Sequence, residues 1–484
     1  MDDGVYGMEP VAQTYGQLHF GNTDLGDKRR TKRLVQLMDK IVQNPGGTLP
    51  EKLSDPADQE AFYRLCAAEE VTHEAMLFTH RELVLKELQT TRKFLLAIHD
   101  STEFDYSSRR SLKRLGQIGN GRGRGYIAQN VLVVDPQSNE VIGLANQVLH
   151  KRAIVAADEL VAEKRDRSSR ESLLWIAGAE VLPGRRLIVD VCDRGADTFE
   201  FLEFEAQSGR TFVIRSAHDR AVTVGHEASE AEPTALHAYL RTLPALITTT
   251  VPARVPEKSL IQRREACRQG RRAKVETNRL AKVSLSVGQV QLHAPHVRRG
   301  NHSRELQAVW AVRIWEPHPP SDCPPLEWIL LTNHPVTTAD VAQMVASWYE
   351  LRWIIEEFHK GLKTGCGIEK LQFRDEARLE PAIASLSVVA VSLLQLREAA
   401  RRPDAKTRLA KTIVDANFIR VLSQWSTGSP QPEWTVYEYH LALATFGGYR
   451  RRKDSPPGWR ILWRATRRLR DMVEGYCLHN ELRE

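Results

Sequence analysis

Residues 348–365 read WYELRWIIEEFHKGLKTG, and the other segments gain meaning from their relation to this stretch. Its apolar residues recur at helical spacing. Val341, Val345, Trp348, Leu351, Ile355, Phe358 and Leu362 make one stripe. That stripe predicts one long helix from Thr337–Asp340 to Gly365, facing a core. Thr or Asp caps its start, and Gly365 stops it. One residue round the helix, Tyr349, Arg352, Glu356, Lys360 and Lys363 fall within a fan of roughly 80°. A carboxylate therefore sits on the shoulder of a buried helix, beside an aromatic hydroxyl and three cations. Alone, such a face is a solvated surface laced with helical ion pairs. It becomes a site only if other carboxylates reach it.

Two candidates lie upstream. Phe94–Ile98 is a continuous apolar run ending in His99-Asp100, the pattern of a strand buried on both faces. The basic loop GQIGNGRGRG follows at 116–125. Ile127–Val134 and Val141–Val148 then flank a DPQSN turn and read as a hairpin. A helix is expected over Arg170–Val181, then a strand over Leu187–Cys192 ending in Asp193. Thr198–Ala206 reads as helix and Thr211–Arg215 as strand. The order is β-β-β-α-β-α-β, with the long helix much later. This is the layout of an α/β, ribonuclease-H-like mixed sheet. There the first and fourth strands are neighbours, so Asp100 and Asp193 meet at their carboxyl ends. A helix across the sheet then adds Glu356. Three hard oxygen donors of this kind suit two Mg²⁺ ions, with Mn²⁺ as substitute. Two such ions serve phosphodiester cleavage.

The chain has 484 residues, more than one ordinary core holds, so several domains are expected. Residues 1–73 read as a helical unit. Thr31–Val42 carries helical spacing, Asn44-Pro-Gly-Gly47 breaks it, and Asp55-Pro56 starts another helix. Residues 74–375 hold the sheet. Between Asp193 and Glu356 the strands Thr248–Val255, Lys282–Val287, Gln289–His293 and Ala308–Ile314 imply a β-rich insertion over about 220–335. Residues 376–484 are helical, with an apolar helix at 377–399 and a tail at 434–478 containing Trp459, Trp463 and Tyr476.

Net charge is +7, and the cations cluster. Residues 28–33 read KRRTKR, placing Arg29, Arg30 and Arg33 at a helix start, where N–H groups and cations both meet phosphate. Residues 107–125 carry six Arg or Lys and no acid, residues 263–304 carry eleven, and residues 450–470 carry nine. Clusters in separate domains point to a long nucleic-acid path. No continuous apolar run of about 18 residues is present, so no membrane span is expected. The N-terminus MDDGVYGMEP lacks the apolar core of a signal peptide. Six scattered cysteines, none in CxxC spacing, fit a reducing cytoplasm.

Tyr349-x2-Arg352-x3-Glu356-x6-Lys363 resembles the YREK signature of the insertion-sequence-four family of DDE transposases, of the Tn-five type. LGDKRRTKRL is similar to that family's end-binding segment. FLLAIHDST and VCDRGAD resemble its two aspartate segments, and FVIRS, PLEWILLT, SVVAVSLLQLRE and FGGYRRRKDSPPGW also match, in the same order. The resemblance implies cut-and-paste transposition of double-stranded DNA through a DNA hairpin, with strand transfer into target DNA. It implies a homodimeric synapse, dimerised through the C-terminal domain, in the bacterial cytosol. It makes Asp100, Asp193 and Glu356 the Mg²⁺ ligands. Tyr349, Arg352 and Lys363 would grip phosphate, Lys360 and Arg215 would touch the DNA backbone, and Trp328 would stack where a base flips out. The chain departs from the family at Gly195, where an acid is usual, and at Tyr126-Ile127, where tryptophans are usual. Its insertion is also longer. Two other readings stay open: an inert, transposase-derived DNA-binding or inhibitor protein, and a structure-selective nuclease of the same fold.

Overall fold

The computed structural model describes residues 13–155, 158–224, 232–254, 278–297, 300–321, 323–430, 433–450 and 457–482. Much of the 263–304 basic cluster, and positions 451–456 of the C-terminal one, lie outside the described residues.

The described residues begin with five helices: α1 (Tyr15–Phe20), α2 (Lys28–Gln43), α3 (Leu49–Lys52), α4 (Pro56–Leu65) and α5 (His73–Thr90). Their starts follow from capping chemistry. The Asp27 carboxylate accepts from Arg29 N, Asp55 from Ala57 N, and Thr72 Oγ1 from Ala75 N. Pro56 takes the first helical position, where no N–H is needed. Leu34, Leu37, Met38 and Ile41 of α2 are wholly buried. Lys52 ties this unit to the rest: its Nζ donates to Gly47 O at 2.9 Å and to Cys366 O at 2.6 Å.

The strands are β1 (Leu95–Asp105), β2 (Gly116–Ile118), β3 (Gly123–Asp135), β4 (Glu140–His150), β5 (Ile188–Cys192), β6 (Thr211–Arg215), β7 (Ala221–Val224), β8 (Thr234–Ala235), β9 (Ile247–Arg254), β10 (Asn278–Leu292), β11 (Gln307–Trp315) and β12 (Glu327–Thr332). They form one mixed sheet, β2-β3-β1-β5-β6-β12-β11-β10-β7-β8, with β4 beside β3 and β9 beside β10. β1 runs antiparallel to β3 and parallel to β5. β1 is buried on both faces, as its apolar run requires. Leu96 and Ile98 enter the principal core, while Leu95 and Ala97 pack with Val84 and Leu88 of α5.

Several expectations need correction. Asp100 does not end the first strand: pairing with β3 continues through Phe104↔Tyr126 to Asp105↔Gly125, because the basic loop itself folds back as β2 and β3. The helix expected over 170–181 is a 3-10 turn, Glu171–Leu173, and a short α-helix, Leu174–Ala179. The strands expected at 282–287 and 289–293 are one, β10, since Gly288 pairs in register with Ala311 and does not interrupt it. Among the described residues, the strands of the β-rich insertion continue the central sheet, because β12 pairs with β6.

The long helix is three pieces: Ala339–Glu350, Trp353–Lys360 and a π-turn, Gly361–Gly365. At the break, Arg352 N bonds Tyr349 O, Ile354 N bonds Leu351 O and Ile355 N bonds Arg352 O. These bonds span three residues and overwind the helix, so Ile354 joins Ile355 in the core. The expected stripe is otherwise inward, with Val345, Trp348, Phe358 and Leu362 buried. Glu376–Ala399, expected in the C-terminal domain, lies in the principal core against α5 and β4. An 18-residue window of it has a mean hydropathy of 1.7, which would suit a membrane span, yet 72% of that window is buried inside the protein. Ala416–Thr427, Val436–Phe446 and Trp459–Glu481 pack around a smaller core.

Candidate active site

β1 and β5 align Leu95↔Ile188 through Ile98↔Val191. Asp100 and Asp193 each stand two residues beyond that last pair, so the parallel strands carry them to one level. Side chains two apart share a sheet face. Asp100 therefore follows Leu96 and Ile98 toward the face where Ile354, Ile355 and Phe358 pack. Asp193 caps a 3-10 turn, its Oδ1 accepting from Gly195 N at 2.7 Å. Here the departure at Gly195 has a local reason. A Cβ there would lie 2.9 Å from the Trp175 ring.

Glu356 reaches the aspartates through Arg352. Arg352 Nη1 donates to Asp100 Oδ2 at 3.0 Å, and Nη2 to Glu356 Oε1 at 2.5 Å. Burial pushes the Asp100 carboxyl up to about 6; Arg352 opposes this, and the charges of Asp193 and Glu356 add to it. Burial works against the Arg352 charge, but Asp100, Tyr349, Glu356 and Asp193 outweigh it and hold the guanidinium above its ordinary value. The three carboxylates thus share one electrostatic neighbourhood with a single cation wedged between two of them. Among the described residues, no three acidic, histidine or cysteine side chains form a ready cation cage. The donor chemistry nonetheless fits Mg²⁺: hard carboxylate oxygens whose mutual repulsion a cation would relieve.

Tyr349 is buried, which raises its hydroxyl pKa despite the nearby Arg215 and Arg352. Arg215 ends β6, bonds the Tyr349 hydroxyl and donates to Glu327 O at 3.4 Å. Trp328, half-buried on β12, meets the Tyr349 ring edge-on at 5.3 Å. Lys360 and Lys363 stand apart from the carboxylates. Lys360 pairs with Glu357 at 2.8 Å, and Lys363 lies 4.0 Å from Glu369.

Beneath the site is a buried network not foreseen from sequence. His99 Nε2 lies 2.7 Å from Asp190 Oδ1, and Arg210 donates to Asp190 Oδ2 and to Glu205. It straps β1 to β5 immediately behind Asp100. The signal was present: Asp190 interrupts an otherwise apolar strand, IVDVC. A second chain runs from His359 to Asn130, the register partner of Asp100, then to Gln147 and His73 at the start of α5. It has no local sequence signature.

The N-terminal arginines are not gathered with these residues. Arg29 is exposed and holds its own cap, Asp27. Arg30 bonds Leu25 O and Glu70, while Arg33 and Lys40 both clasp the buried Asp58.

With that geometry in hand, residues 12–71 match a protein family described as transposase DNA-binding. The match covers α1–α4 and supports a transposase-type protein with DNA as its partner.

Proposed function

We propose that the chain is a DDE transposase of the insertion-sequence-four, Tn-five type, built on a ribonuclease-H-like core. It binds the ends of a mobile element, cleaves them through a hairpin intermediate and joins them to target DNA. The observation that supports this reading is that the charges of Asp193 and Glu356 both act on Asp100, in a chain whose N-terminal segment matches a transposase DNA-binding family. The strand order β4-β3-β1-β5-β6, with β3 antiparallel, supports the fold reading.

Asp100, Asp193 and Glu356 would hold Mg²⁺ or Mn²⁺, which supply charge neutralisation and an activated water or 3′-hydroxyl. The protein's own groups then do the positioning. Arg352 has a planar fork that matches a phosphate, and Tyr349 presents a neutral hydroxyl beside it. Lys363, Lys360 and Arg215 add positive charge along the backbone path. Trp328 is half-open next to Tyr349, so its ring can take the place of a flipped base. Residues 12–71 hold the element's end, and a homodimer in the bacterial cytosol assembles the synapse.

The test is a pair of assays on the full chain, gel shift and Mg²⁺-dependent nicking of DNA selected by the protein from a randomised pool. Asp100→Ala, Asp193→Ala and Glu356→Ala are each expected to retain binding and lose nicking. Full nicking by any one of them removes the triad.

A further inference from the structure

We propose that Arg352 is a gate that keeps divalent cations out of the carboxylate site until DNA is bound. The inference rests on the carboxylate reading above and adds an order of events to it. Its basis is the pair of contacts Arg352 makes at once, to Asp100 Oδ2 at 3.0 Å and to Glu356 Oε1 at 2.5 Å. Its side chain is 19% exposed, that of Asp100 17% and that of Glu356 36%, so water screens the Asp100 contact weakly and the Glu356 contact more. The same oxygens cannot serve a cation and the guanidinium fork together. A cation entering the DNA-free protein would displace Arg352 and leave a largely buried guanidinium beside Arg215, with Asp100, Glu356 and Asp193 committed to the cation. Leaving a buried charge without its counter-ion is costly.

DNA changes this balance. A phosphate accepts both arms of an arginine fork as a carboxylate does. Once a backbone phosphate lies beside Arg352, the guanidinium can turn to it and release Asp100 and Glu356. Cation and DNA then bind cooperatively, and each tightens the other by the same factor. Cleavage chemistry is thereby withheld from free protein and assembled on the substrate. Arg352 is placed for this role, at the overwound turn between the two helical segments and one turn before Glu356.

The experiment measures Mn²⁺ affinity by paramagnetic resonance on the full chain, with and without a saturating duplex selected from a randomised pool. Wild type, Arg352→Gln and Asp100→Asn are compared. Free Arg352→Gln is expected to bind Mn²⁺ on the order of tenfold more tightly than free wild type, and DNA is expected to tighten wild type far more than the variant. Equal affinities of the two free proteins, or equal tightening of both by DNA, overturns the gate. If Asp100→Asn leaves Mn²⁺ affinity in the DNA complex unchanged, the carboxylate reading itself fails, which is a separate result.

Discussion

Asp58 in the DNA-binding segment and Asp100 on the central sheet are both largely buried, and both are bonded by an arginine, yet they behave oppositely. Asp58 has two cations. Lys40, the stronger influence, and Arg33 hold its carboxyl below the usual range. Asp100 has one cation, shared with Glu356, and its carboxyl is pushed up to about 6 by burial with Asp193 and Glu356 adding. The difference is charge stoichiometry. Positive charge is in surplus where the protein is to meet a polyanion, and its acid merely braces two helices. At the sheet the charges of Asp193 and Glu356 act on Asp100, and Arg352 bridges Asp100 and Glu356.

The sharpest way to break this comparison is to neutralise each acid. Asp100→Asn is expected to lower nicking about a thousandfold or more, the loss of several kcal/mol of charge stabilisation. In chelator, its thermal midpoint near neutral pH should equal or exceed that of wild type, because a strained charge is removed. Asp58→Asn is expected to keep the chemistry and to lose about 1.5–3 kcal/mol of stability in urea unfolding. A stable Asp58→Asn beside a collapsed Asp100→Asn would reverse the assignment.

Arg352→Lys sharpens the Asp100 side. Lysine keeps the charge but loses the fork that bridges two oxygens. Nicking and hairpin formation at saturating protein are expected to fall about a hundredfold with DNA affinity nearly kept. Near wild-type rates would leave Arg352 as a helical ion pair with Glu356, worth about 0.2–0.5 kcal/mol. Trp328→Ala is expected to slow hairpin formation about tenfold or more while sparing the first nick, since base stacking contributes roughly 1–3 kcal/mol. Equal slowing of both steps would make Trp328 a packing residue.

The smallest effect is in pH dependence. Asp58, with a depressed folded pKa, contributes stability that is present above its unfolded pKa and lost as pH falls through the folded one. Asp100 runs the other way. Between about 6 and its ordinary value of 3.8, the folded chain holds a proton that the unfolded chain has lost, so this term makes folding stronger as pH falls. Chelator-treated Asp100→Asn should lack that rise, and Asp58→Asn should lack the acid-side loss. Identical pH profiles for the two variants would dissolve the contrast.

Much of this was legible in the chain itself. Apolar periodicity marked the strands around residues 95, 130, 145, 190 and 213 in their order, and Asp55-Pro56 marked a helix start to the residue. Such signals are local, because backbone bonding and side-chain direction repeat every two to four residues. Asp100, Asp193 and Glu356 were recognisable as candidates for the same reason: each follows or flanks an apolar run. What no local window contains is the identity of the partner. β1 runs on to Asp105 because β3 pairs with it there. The insertion enters the central sheet because β12 meets β6, 112 or more residues apart in sequence. Asp58 is a brace because Arg33, 25 residues away, reaches it, and Arg352 lies between two acids because Asp100 comes from 252 residues away. The sequence determined the elements and their chemistry; only tertiary structure decided which charges meet, since that depends on contacts the chain closes across itself in folding.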